Sequence, residues 1–223
     1  DEYFLRYHPE EIAWHTRLLA AREEEGRRVL VGIQDEASRA GTSVITYAPQ
    51  DRYTFAIATA VLDELGLNIA GARIIRLNNG FRLSTYVVLE SGEHILDSDR
   101  REQIRKRLEQ AITAGQTSGP RVTRRPPRQV RMFTTPTLVS FGSDDINDRT
   151  VMEIVASDRP GLLSQIGQVL RNHEVSIQAA KILTVGERAE DVFYVTDPDG
   201  NPLTEVACQR IEAALIEALD NGS

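Results

Sequence analysis

The chain repeats itself. TLVSF at 137–141 echoes VLVGI at 29–33, and LRNHEVSIQAAKI at 170–182 echoes LDELGLNIAGARI at 62–74, each 108 residues apart. Ser43–Arg52 echoes Thr150–Arg159 at 107, and NNGFRLSTYVVLESG echoes GERAEDVFYVTDPDG. Leu203–Leu219 repeats the last helical pattern of the first copy. A duplication of this length restricts the chain to folds that can be built twice in tandem. The one-residue change in offset falls at a single turn, where Asp51-Arg52-Tyr53-Thr54-Phe55 stands against Asp158-Arg159-Pro160-Gly161-Leu162-Leu163. On this reading the first copy is one residue short there.

The hydrophobic pattern inside each copy alternates between strand and helix periods. In the first copy, strand-like Val29–Ile33 and Ser43–Ala48 precede a helix from about Thr54 to Leu65, closed by Gly66. Leu67–Leu77 and Leu83–Leu89 flank Asn78-Asn79-Gly80, a hairpin turn in which positive φ is cheap. A helix over Arg100–Ile112 follows. The order predicts an α+β protein: two tandem ferredoxin-like β-α-β-β-α-β units with antiparallel sheets and both helices on one face, preceded by a short helical segment. The fourth strand is hard to see in either copy. A leading strand before each unit (Val29–Ile33, Thr137–Phe141) is extra and must pair on some edge.

Four segments result. Residues 1–28 read as the helical tail of an upstream domain, 29–114 as the first unit, 115–131 as a basic Pro/Gly linker and 132–223 as the second unit. The 223 residues suffice for two small domains, with 41% hydrophobic and 26% charged residues, as in globular proteins. No apolar run approaches about 18 residues, so no membrane span is expected. Cys208 is the only cysteine, which rules out an intrachain disulfide and fits a reducing cytoplasm. A net charge of −7 disfavours nucleic acid as a partner, and the linker arginines Arg121, Arg124, Arg125, Arg128 and Arg131 lack interleaved aromatics.

The turn SDRPGLLS is the main candidate site. A strand ends before it, and a helix burying Leu162, Leu163, Ile166, Val169 and Leu170 begins after it. The first N–H groups of a helix are unpaired and its dipole favours an anion, so this turn suits a ligand carboxylate. Pro160 sets φ at the helix start, and Gly161 lacks the Cβ that would block close approach. Asp158 either accepts from a ligand ammonium or N-caps the helix.

The repeat unit resembles the ACT domain, a regulatory module for small ligands, through DRPGLLSQIGQVL, VSIQAAKI and GERAEDVFYV. With DEYFLRYHPEEIAWHTRLL upstream, the whole is similar to the C-terminal part of the bifunctional uridylyltransferase/uridylyl-removing enzymes, which modify the PII signalling protein. The resemblance implies that catalysis lies N-terminal to this segment. There a nucleotidyltransferase domain attaches UMP to PII and an HD-type metal phosphohydrolase removes it, with Mg in those domains and no cofactor in this one. It implies that the tandem units sense glutamine and act on the upstream catalytic domains. It places the ligand between the turn and the second strand of a partnered unit. The site expected on that basis comprises Asp158, Arg159, Pro160, Gly161, Leu162, Leu163 and Ser164, with Ser176, Ile177 and Gln178 as the second wall. A secondary site is expected at Asp51, Arg52, Tyr53 and Thr54, where Tyr53 and Thr54 stand in place of the open Pro-Gly.

No catalytic residues are expected here. No His-Asp dipeptide occurs, and Gly142-Ser143 is not followed by a D-x-D at short distance. Asp197-Pro198-Asp199 reads as a turn. His8 and His15 are two ligands at most, short of a metal site. Two rivals to a sensor remain: a ligand-free structural or dimerisation module, and a docking site for PII.

Overall fold

The computed structural model describes residues 3–4, 7–25, 28–36, 41–50, 53–90, 96–115 and 135–220. Helix α1 (Pro9–Glu25) precedes strands β1 (Leu30–Glu36) and β2 (Gly41–Pro49), helix α2 (Thr54–Glu64), strands β3 (Leu67–Arg76) and β4 (Phe81–Glu90), and helix α3 (Ser98–Ala114). The second half repeats the series as β5 (Leu138–Asp144), β6 (Arg149–Ser157), α4 (Leu162–Asn172), β7 (Ser176–Val185), β8 (Arg188–Thr196) and α5 (Glu205–Asp220). The expected linker, apart from Gly115, lies outside the described residues.

The local chemistry explains these elements. Leu162, Leu163, Ile166, Val169 and Leu170 form one stripe of α4, and all five are buried. The β3–β4 hairpin turns at Gly80 with φ +78°, and the Phe81 N–H donates to Asn79 Oδ1 at 3.1 Å. Gly66 follows α2 at φ +81°, a region that costs a side chain dearly. Asp197 closes its own turn, accepting from the N–H groups of Asp199 (2.9 Å) and Asn201 (2.8 Å).

All eight strands form one antiparallel sheet in the order β1-β2-β4-β3-β7-β8-β6-β5. The ferredoxin-like units are present, with one difference in connectivity. Each leading strand pairs with the strand after it and takes the sheet edge where a fourth strand was expected. Each unit therefore runs β-β-α-β-β-α, and among the described residues no strand returns to its own unit after α3 or α5. The strand that was hard to see and the strand that was surplus are the same strand. The turn register is also corrected. Gly41–Pro49 and Arg149–Ser157 lie 108 residues apart at both ends, as do Thr54–Glu64 and Leu162–Asn172. No residue is missing from the first turn: Tyr53 occupies the position of Gly161, and Gln50 that of Asp158.

The two units meet side by side. Strand β3 pairs with β7, with Ala72 opposite Ile182, Ile74 opposite Ala180, and the equivalent residues Arg73 and Lys181 opposite each other at the centre. Above this seam α2 packs on α4. Phe55 of α2 meets Phe193 of β8 edge to face, with ring centroids 5.8 Å apart. One apolar core runs through both units under the four helices.

The other face of the sheet differs between halves. In unit 1 it is covered by α1, whose Ile12, Trp14, Leu18 and Leu19 pack on Leu30, Ile45, Ile75 and Leu83. Glu11 pairs with Arg73, whose guanidinium also lies 4.4 Å from the centre of the Tyr7 ring. His15 is 1% exposed within this aromatic nest, with Nδ1 2.8 Å from the Tyr3 hydroxyl, and burial lowers its pKa to about 4. Packing accounts for it, and no His/Cys/Asp/Glu cluster fit for a metal occurs among the described residues.

Gly167 sits at the α2–α4 crossing. A Cβ there would lie 2.9 Å from Ala56 Cα and 3.2 Å from Phe55 Cδ1. Gly167→Val is expected to force the helices apart and destabilise the chain by roughly 1–3 kcal/mol in urea unfolding, as overpacking of a dense core does.

Candidate ligand-binding site

The second turn is anchored at both ends. The Asp158 N–H donates to Glu187 O (2.8 Å), which ties the end of β6 to the β7–β8 hairpin. The Leu162 N–H donates to Arg159 O (3.2 Å), and α4 starts with Gln165 N–H to Gly161 O (2.9 Å). Gly161 is the N-cap residue, at φ +82° and ψ −2°, and no side chain caps the helix. The capping role considered for Asp158 is therefore not realised, and Gly161 is required by its left-handed backbone. Leu162 and Leu163 are buried, so only their backbone can reach a ligand. Pro160 and Ser164 are half-buried beside them.

Arg159 is turned away from the seam. Its Nη2 donates to Gln165 Oε1 (2.6 Å) and to Leu219 O (2.8 Å), a terminal carbonyl of α5. It lines a cleft of about 320 Å³ with Thr135, Ser157, Leu162 and Asp220. Burial lowers its pKa, and the Asp220 charge opposes that shift. Burial raises the pKa of Asp158, against the pull of the Arg159 N–H.

The expected second wall lies elsewhere. Ser176, Ile177 and Gln178 open β7, whereas the turn docks on the far end of that strand, at Glu187. At about 3.3 Å per residue, the two are roughly 20 Å or more apart. Gln178 is occupied within the protein: its Nε2 donates to Thr196 Oγ1 (2.7 Å), and its Oε1 accepts from Arg76 Nη1 (3.2 Å). The Ile177 carbonyl accepts from Arg82 Nη2 at 2.7 Å. These three residues face unit 1, on the side of Tyr53, whose ring lies 5.7 Å from the Arg171 guanidinium carbon. The strand beside the second turn is β3, since Gly71 pairs with Leu183 just ahead of Glu187. A β-bulge between Ile69 and Gly71 breaks the ladder at that level. The pseudo-twofold seam thus forms two candidate half-sites, one from the first turn with β7 and one from the second turn with β3. Sequence reasoning missed Ile69–Gly71, although their echo of Ile177–Ala179 was in view.

In the first half-site, Asp51 and Arg52 lie outside the described residues. Tyr53 holds the N-cap position of α2 in right-handed backbone (φ −92°), and Thr54 is buried. The first turn therefore lacks the glycine geometry of the second.

Sequence reasoning also missed Asp191. It lies on β8 opposite Ile154, inside the core, and is 1% exposed. Neither carboxylate oxygen has a hydrogen-bond partner among the described residues. Burial lifts its pKa to about 7, the Asp158 charge adds to the rise, and the Leu183 N–H opposes it from outside hydrogen-bond geometry.

Residues 150–219 match the ACT domain family model, and residues 1–18 match that of the fifth domain of the uridylyltransferase GlnD. The second unit is accordingly an ACT domain, and the first is its structural repeat. The bifunctional uridylyltransferase/uridylyl-removing enzyme of Methylococcus capsulatus is 44% identical over 91% of this chain and 23% of its own length. That of Stutzerimonas stutzeri is 40% identical over 98% of this chain and 25% of its own length. An aspartate kinase structure from Synechocystis aligns with 79% of this chain and 26% of that chain at 15% identity, with a TM-score of 0.40. Over nearly its whole length the chain is similar to these bifunctional uridylyltransferase/uridylyl-removing enzymes, and it spans about a quarter of the length of the curated relatives it matches.

A carboxyl whose folded pKa is raised stabilises the fold most below its unfolded value near 3.8, and this contribution is lost as pH rises through about 7. Asp191→Asn is therefore expected to gain stability over the native chain as pH rises from 5 to 8, read from thermal midpoints at each pH.

Proposed function

We propose that this chain is the glutamine-sensing region of a cytoplasmic bifunctional enzyme that attaches UMP to PII and removes it. The feature that carries this reading is the second turn. It is an ACT signature whose helix begins on a left-handed glycine with no side-chain cap, so backbone N–H groups are offered to a ligand carboxylate. A ligand here touches both units, because the turn belongs to one and the facing strand to the other.

Regulation then follows from differential binding. Glutamine shifts the parent enzyme only if it binds one docked arrangement of the tandem units on the upstream catalytic domains better than another. The Mg chemistry of both reactions belongs to those domains. This segment supplies the switch.

Calorimetric titration with L-glutamine, with L-glutamate and L-asparagine as controls, tests the proposal. Selective saturable binding is expected for the native chain. In Gly161→Ala, with the fold intact by circular dichroism, it should weaken by roughly fivefold or more, since alanine resists φ +82° by about 1 kcal/mol. Absence of glutamine binding, in this chain and in the full-length enzyme, would leave a structural module.

A further inference from the structure

The two half-sites are related by the repeat but are not chemically alike. Arg82 pairs with Ala48 on β2, and Ala189 pairs with Ala156 on β6, so Ala189 is the counterpart of Arg82. By the same pairing Asp191, opposite Ile154, is the counterpart of Ser84, opposite Thr46. In unit 1, the Arg82 side chain is 1% exposed and its guanidinium reaches across the seam to the Ile177 carbonyl. A cation built into the chain therefore reaches from β4 past β3 to the start of β7. In unit 2 that arginine is replaced by an alanine, and a buried carboxylate with no hydrogen-bond partner among the described residues stands two residues further along the same inward face.

Both changes point the same way. The second half-site has lost a cation and gained an anion. A buried carboxylate is costly unless it is paired and hydrogen-bonded. Burial holds the Asp191 carboxyl above the ordinary carboxylate range, the Leu183 N–H opposes this, and the charge of a second carboxylate, Asp158, adds to it. Asp158 sits in the signature turn, at the rim of the same half-site.

We propose that Asp191 is the buried counter-ion for the ammonium group of the ligand in the second half-site, with Asp158 at its rim and Arg82 as the built-in occupant of the corresponding place in unit 1. This rests on reading the region as an amino-acid sensor, and it adds the residue that recognises the cationic end. The helix N-terminus takes the carboxylate, and Asp191 takes the ammonium. Entry of the ligand requires the seam to part, because Asp191 is buried.

The test uses the whole chain and three probes: L-glutamine, glutaramate (the same molecule without its ammonium) and propylammonium. Asp191→Asn should weaken glutamine binding by at least about tenfold while leaving glutaramate binding unchanged, as loss of a charge-assisted contact requires. Its thermal midpoint at pH 8 should be no lower than that of the native chain. Ala189→Arg should abolish glutamine binding by installing the cation that unit 1 carries. The Asp191 carboxyl carbon resonance should move on addition of glutamine. Equal glutamine affinity in Asp191→Asn, or a lowered thermal midpoint with unaltered binding, would overturn the proposal. If glutamine binds neither the native chain nor the full-length enzyme, the sensor reading falls by itself, and propylammonium then decides. A shift of the Asp191 resonance with propylammonium but not with propanol sustains the cation site, and no shift overturns it.

Discussion

Antiparallel pairing of β3 with β7 joins the two halves of this molecule, and the rest of the architecture depends on it. Without that ladder each unit would expose a long sheet edge, a template for unwanted association. With it, the edges disappear into an eight-stranded sheet and α2 and α4 are brought together over one core. The ladder has a cost at its centre, where Arg73 faces Lys181 and like charges directly opposed are unfavourable. Glu11 of α1 answers the charge on Arg73, so the helix that covers unit 1 also relieves strain at the seam.

The seam also explains why the two turns could diverge. Each turn contributes to a separate half-site, so a change in one leaves the other intact. The first turn starts its helix on Tyr53 in ordinary right-handed backbone, and its half-site holds arginine side chains. The second keeps a left-handed glycine and gathers carboxylates. The duplicated module has in this way acquired two turns of unlike backbone around one axis.

Much of the fold was legible because it was local. The α4 stripe, the Asn78-Asn79-Gly80 hairpin and the Asp197 turn are all set by residues close in sequence, and they fold as their side chains dictate. The leading strands were legible as strands but not as the missing fourth strand, because an edge position is decided by pairing and leaves no periodic mark. The apparent one-residue gap at the turn came from matching Asp-Arg to Asp-Arg, when strand and helix register match Gln50 to Asp158 instead. Ser176–Gln178 were expected beside the second turn but lie toward the first, since which strand faces which turn is fixed only by the β3–β7 ladder. Asp191 was hidden in plain alternation. Its neighbours Ala189 and Phe193 point inward, so it must too, yet a Glu-Asp pair reads as a solvated surface.

The order of the strands sets a condition on the chain between the units. Helix α3 lies beside β1 at one edge of the sheet, and β5 forms the opposite edge. With strands spaced by about 4.8 Å, the chain leaving α3 must cross roughly 34 Å to begin the second unit. The segment from Gly115 to Thr135 can reach about twice that distance when extended. The two units are therefore joined in one chain across the full width of the sheet. The β3–β7 ladder is an intramolecular contact, and it forms without the entropy cost of bringing two separate molecules together.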